Sequence, residues 1–207
     1  MRINPPLVAL AIGAFGIGVT EFAPMGMLPG IASDLGVSIP AAGLLVSAYA
    51  LGVVVGAPLL ALLGARLPRR ILLLLLMGCF ALGNFASALA PGYEPLLMFR
   101  FIAGLPHGAY FGIAMLVAAS MAPPHKRAKA VSRVLAGLTV AILIGNPLAT
   151  WLGQFMSWRY AFALVGIIAI TTIAMVAIFL PADPNEQRSS PKGELRAFNR
   201  APIWLAL

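Results

Sequence analysis

The chain has 207 residues, 61% of them hydrophobic and only 10% charged, with a mean hydropathy of +0.97. Soluble domains carry about 25% charged residues, so a surface built from this composition does not mostly face water. The net charge is +8, but the 14 Lys and Arg stand in small groups between long apolar runs. A nucleic-acid binder needs its basic residues on one solvated face, so no nucleic-acid partner is expected. The single Cys79 lies in an apolar run and reads as a packing residue, outside any disulfide framework or thiol pair.

Charged residues punctuate the chain. No Asp, Glu, Lys or Arg occurs in 3–20, 35–65, 71–93, 101–124, 134–158 or 160–182. A helix needs about 20 mainly apolar residues to cross the hydrocarbon core. Six spanning helices are therefore expected near 6–28, 41–63, 71–90, 95–119, 130–154 and 160–180, with 201–207 as the start of a seventh. The ten-residue alternation of a transmembrane β-barrel is absent, so the expected class is an all-α membrane protein. Its parts are a six-helix bundle over 1–181, a polar linker over 182–200 and the apolar start over 201–207.

Orientation follows from loop charge. Arg2 precedes the first span, Arg66, Arg69 and Arg70 stand between the second and third, and Lys126, Arg127, Lys129 and Arg133 between the fourth and fifth. The other connections carry only Asp34, Glu94 and Arg159. Positive residues mark the cytoplasmic side, which places the N terminus and the 182–200 linker inside a multi-pass protein of the plasma (inner) membrane.

Within the spans, Glu21, Arg100 and His107 are ionisable. A charge at the bilayer centre costs about 2.5–3.5 kcal/mol on insertion scales, so such residues face a bundle interior or a cavity and mark ion or substrate pathways. At about 1.5 Å per residue, Glu21 lies about 12 Å from a helix end at Pro29, and Arg100 about 8 Å from one at Pro95. The two are expected to meet as an ion pair, either structural or switched by protonation of Glu21. Arg100, Gly104, Gly108 and Gly112 share one helix face, which turns Arg100 into the bundle. His107 lies near that face, as a proton relay or as a neutral packing histidine.

The fifth span carries Gly137, Ala141, Gly145, Ala149 and Gly153 at every fourth position, a stripe that admits a closely packed partner helix. Asn146 and Pro147 interrupt it, and the proline removes a backbone hydrogen bond and bends the helix. Gly52 and Gly56 form a shorter version in the second span. Phe22, Tyr49, Asn84, Tyr110 and Phe111 are candidate substrate-cavity residues.

Together these stretches resemble the first half of a major facilitator superfamily transporter, in its drug:proton antiporter and arabinose/chloramphenicol-efflux-like branch. Thr20-Glu21-Phe22 and Ile31-Ala32-Ser33-Asp34-Leu35-Gly36-Val37-Ser38 resemble the branch's first helix and outer loop. Arg66, Arg69 and Arg70 stand where the family has its cytoplasmic gating loop G-x-L-A-D-R-x-G-R-R/K, with Ala61, Ala65 and Pro68 replacing Gly, Asp and Gly. Arg100-Phe101-Ile102-Ala103-Gly104 is similar to R-x-x-Q-G, whose Arg is associated with proton coupling. Gly145-Asn146-Pro147 loosely resembles the antiporter motif of the fifth helix, and Trp158-Arg159-Tyr160-Ala161-Phe162 the W-R-x-x-F opening of the sixth.

The resemblance implies two inverted three-helix repeats and secondary active transport by alternating access. The expected activity is proton-coupled efflux of a drug, sugar or nucleoside, with Glu21, Arg100 and His107 as coupling residues. Its partners are the lipid bilayer, the small-molecule substrate, protons and a C-terminal six-helix half. The energy source is a proton gradient, with no cofactor or metal. An uncoupled facilitator or importer of the same fold is the alternative. An intramembrane enzyme is not expected from one Cys and two His without H-E-x-x-H or G-x-S-x-G, and nothing resembles a channel's selectivity filter.

Overall fold

The computed structural model describes residues 4–182, and these form helices and short connections without a strand. The expected 183–200 portion of the linker and the start of a seventh helix lie outside the described residues, as does Arg2. Helix α1 (Pro5–Leu35) opens on prolines, which suit a first helical turn whose N–H groups have no intrahelical partner. It closes on Gly36 at φ 64°, the left-handed position that favours glycine. Helix α2 (Ile39–Gly64) starts at Ser38, whose hydroxyl accepts from the Ala41 N–H. Helix α3 spans Arg69–Ala88. Helices α4 (Tyr93–Gly104) and α5 (Pro106–Ser120) make one rod, interrupted where Pro106 brings no N–H.

A single 3₁₀ turn (Pro124–Lys126) leads into α6 (Arg127–Val140) and α7 (Asn146–Leu152). The turns Ala141–Gly145 and Gly153–Ser157 are π-helical. The first lies just before Pro147, whose ring would press on the carbonyl four residues earlier in a regular α-turn. Helix α8 spans Trp158–Phe179. Among the described residues, five helical stretches are long and apolar enough to cross a membrane, the last being Pro124–Phe179 at 56 residues. That stretch is broken at Ser157, which is extended at φ −161° and ψ 141°.

The two helix ends used for the depths of Glu21 and Arg100 both move. The first helix does not end at Pro29: it runs on to Leu35, because a helix embedded in a bundle tolerates both Pro24 and Pro29. The fourth begins at Tyr93, not Pro95, since proline is well placed in a first turn.

Close approaches fix which helices pair and in which direction. A Cβ on Gly137 would collide with the Ala11 carbonyl, one on Gly145 with Val19, and one on Gly153 with the Met27 sulfur, so α1 and the α6–α7 rod run side by side and parallel. A Cβ on Gly52 would strike the Phe101 carbonyl, one on Gly56 Leu105, and one on Gly104 the Tyr49 carbonyl, so α2 is parallel to the α4–α5 rod. Helices α3 and α8 are antiparallel: Arg70 donates to the Ala177 carbonyl at one end, and Arg159 to those of Ala88 and Ala90 at the other. The fully buried interior includes Leu10, Ile17, Leu73, Phe80, Leu96 and Phe162.

Candidate functional site

Arg100 is fully buried, with no exposed surface. Gly52 and Gly104 bring α2 and α4 together beside it, and α1 and α8 supply the side chains that close over it. Its Nη1 donates to the Thr20 hydroxyl at 2.9 Å and its Nη2 to the Thr20 carbonyl at 2.8 Å. The Thr20 hydroxyl donates in turn to Asn84 Oδ1 at 2.7 Å, and the Asn84 amide donates to the Phe80 carbonyl at 2.8 Å. The guanidinium carbon lies 4.5 Å from the Tyr49 ring centroid and 4.9 Å from that of Phe162. Aromatic faces attract a cation, and more so away from water. Arg100 Nε has no hydrogen-bond partner among the described residues.

Glu21 does not pair with Arg100. It is half-buried and forms no hydrogen bond or ion pair among the described residues. Successive helical residues point about 100° apart, and Thr20, not Glu21, occupies the face of α1 turned to α4. The guanidinium is thus held by dipoles and rings, one residue away from an unpaired carboxyl group. Tyr49 lies within electrostatic reach of both charges.

The Tyr49 hydroxyl meets His107 Nδ1 at 3.1 Å, and the two rings stand edge to face with centroids 5.9 Å apart. His107 also packs on Phe111, centroid to centroid at 5.3 Å. Tyr49 therefore joins Arg100 and His107 of the α4–α5 rod, with Arg100 on its face and His107 at its tip.

Of the expected cavity residues, Tyr49, Asn84 and Tyr110 are buried between helices and line no open surface. Tyr110 lies over Gly13 and donates to the Leu10 carbonyl at 2.9 Å, which makes it part of the packing between α1 and α5. Phe22 and Phe111 are half-buried. The helix-face expectation holds for Gly104 and Gly108, which meet Tyr49 and Ala57 of α2, but not for Gly112, which is exposed and faces open space. Beyond Gly108 that face opens, and a Cβ at Gly112 would meet nothing.

Gly145, Asn146 and Pro147 sit at the end of the first π turn, with Gly145 against Val19 and Phe15 of α1. Asn146 Oδ1 is buried without a partner among the described residues. Of the three arginines between α2 and α3, Arg66 is exposed, Arg69 is half-buried and Arg70 ties α3 to the end of α8. At the opposite end, Asp34 accepts from Trp158 Nε1 at 3.0 Å and lies 3.5 Å from Arg159. Thr20 and Phe162 were not expected in the site. A threonine beside a membrane-embedded glutamate and the Phe of the W-R-x-x-F stretch are the signals that point to them.

The helical arrangement recurs in solved structures. The Major Facilitator Superfamily profile matches residues 10–207. The chain belongs to that superfamily. It is 50% identical over its full length to the inner membrane transport protein YdhP of Escherichia coli strain K12, covering 53% of that protein. It is 36% identical to the chloramphenicol resistance protein of Streptomyces lividans, with 86% of this chain and 45% of that protein covered. A partially occluded inward-open structure of the xylose transporter XylE from E. coli superposes with a TM-score of 0.76, at 18% identity and covering 96% of this chain and 54% of that one. The chain spans about half the length of the curated relatives it matches. This superfamily member is a multi-pass helical membrane protein.

Proposed function

We propose that the chain is the N-terminal half of a proton-coupled exporter of a small molecule, working by alternating access in the inner membrane. The observation that carries this reading is a fully buried arginine beside a half-buried glutamate, the first with no carboxylate partner and the second unpaired among the described residues. Burying an ion without a counter-ion costs several kcal/mol, so the arrangement has a standing reason to change when a charge nearby changes. Protonated, Glu21 leaves Arg100 on Thr20; ionised, it competes for the guanidinium and pulls on α1 against α4. A half-exposed carboxyl group is also within reach of protons from an aqueous cavity. His107, joined to the same arginine through Tyr49, gives the proton a second stop.

The break at Ser157 supports two crossings within 124–179 and hence six in all. Exchanging α1 with α4–α5, α2 with α6–α7 and α3 with α8 maps the α1/α6 contact onto the α4/α2 contact and returns α3/α8 to itself. This correspondence supports the reading of two inverted repeats. The basic turns beside Arg66 and Lys126 both lie at the end where α1 begins, which supports a cytoplasmic face there. Export of a drug or related compound is supported by the name of the chloramphenicol resistance relative, and inner-membrane residence by that of YdhP. A C-terminal half completes the substrate cavity, with Phe22 and Phe111 lining this side.

The test is cellular accumulation of a panel of antibiotics, sugars and nucleosides in cells expressing the full-length protein, with and without an uncoupler. Glu21→Gln is expected to raise accumulation to the level of cells lacking the protein, with membrane insertion unchanged. Efflux by the Glu21→Gln variant equal to the parent's removes Glu21 from the mechanism, and efflux indifferent to the uncoupler favours a facilitator.

A further inference from the structure

Arg100 needs acceptors, and a continuous helix offers few. Each backbone carbonyl in its interior accepts from the N–H four residues later. Thr20 is an exception that can be read from the chain: the residue four positions on is Pro24, which has no N–H to give. Pro24 lies inside α1, is buried, and the helix continues through it. The Thr20 carbonyl is therefore left without its helical partner at a site that is 1% exposed. An unmet carbonyl there costs about 1–3 kcal/mol. The pyrrolidine ring also crowds that carbonyl and tilts it off the helix axis. The acceptor left open is the one that Arg100 Nη2 meets at 2.8 Å.

We propose that Pro24 is a positioning residue for Arg100: it withholds a helical N–H so that the Thr20 carbonyl serves as a fixed ligand for the guanidinium. Two costs then offset one another, a buried cation without a carboxylate and a helix carbonyl without a donor. The arrangement holds Arg100 in place while leaving Glu21 free, which an ion pair would not. The inference rests on the transport reading only for its consequence. The bond and its dependence on Pro24 are properties of the folded protein.

A carbonyl already used within a helix can accept a second donor, as Leu10 does from Tyr110. The experiment must therefore separate a freed acceptor from a shared one. Thermal unfolding of the full-length protein in detergent does so for Pro24→Ala in two backgrounds. Replacing an interior helical proline by alanine ordinarily stabilises a helix. Pro24→Ala is expected to lower the unfolding temperature by about 2 °C or more when Arg100 is present. It is expected to raise it in the Arg100→Met background, where the restored N–H has no rival. A shift of the same sign in both backgrounds overturns the proposal.

If Arg100→Met does not fold, the ester analogue with lactic acid at position 24 replaces that arm. It lacks the N–H as proline does, but also lacks the ring. It is expected to unfold at or above the temperature of Pro24→Ala in the Arg100 protein. An ester analogue less stable than Pro24→Ala, the ordinary order for a helix, shows that Arg100 shares the carbonyl and needs no proline. Transport by the same variants is read separately, so a failure of the coupling mechanism leaves this result standing.

Discussion

Thr20 carries more of the site than its size suggests, because its hydroxyl accepts from Arg100 and donates to Asn84 while its carbonyl takes the second guanidinium nitrogen. Thr20→Val keeps the shape and the carbonyl but removes the hydroxyl, leaving a buried N–H of Arg100 and the Asn84 oxygen unmet. A loss of about 2 kcal/mol or more is expected in a thermal or denaturant melt of the full-length protein, with Thr20→Ser restoring most of it. A Thr20→Val protein as stable as the parent removes the hydroxyl from the network. The ionisable residues were legible in the sequence because Glu21, Arg100 and His107 interrupt apolar runs, and the inward facing of Arg100 followed from the glycines on its side of the helix. Their pairing was not legible. Charge arithmetic joins Glu21 to Arg100, but a rotation of one residue about α1 decides which side chain faces α4, and that rotation is set by Gly13, Gly16 and Gly18 packing against three different neighbours.

At the scale of helices, small residues decide which rods touch. Gly137→Leu and Gly56→Leu each push a side chain into a partner's backbone and are expected to cost about 3 kcal/mol, or to prevent folding. Gly78→Leu and Gly112→Leu face open space and are expected to be tolerated. Comparing the yield and melting of these four variants checks the assignment, and equal tolerance at all four sites contradicts it. The stripe on the fifth span was legible as a close-packing face, but its partner was not: spacing cannot say that α1 lies against it. The Gly52 and Gly56 pair is a weak signal alone, yet it faces Phe101 and Leu105 as closely as the longer stripe faces α1. The π turns were not legible in detail. Pro147 announces a distortion, and whether it appears as a kink or as a widened turn depends on the helix packed beside it.

For the whole molecule, composition and the charge-free runs were enough to place the chain in a membrane, and the order of its motifs was enough to reach the family. The parallel pairing of α1 with α6 and of α2 with α4 was out of reach, since hydropathy carries no information on neighbours. The exposed apolar faces, such as Val54 and Leu63 on α2 and Leu143 and Phe155 beside α7, need lipid or a second bundle to cover them. In keeping with a chain half the length of its relatives, residues 1–207 alone are expected to insert but to move no substrate across liposomes. The most direct measurement is substrate flux in liposomes that hold the purified full-length protein under an imposed pH gradient, once the accumulation panel has named a substrate. Uphill flux against the proton movement is expected, reversing when the gradient is reversed and absent in Glu21→Gln. Flux that follows only the substrate gradient, with the same rate in parent and variant, contradicts it.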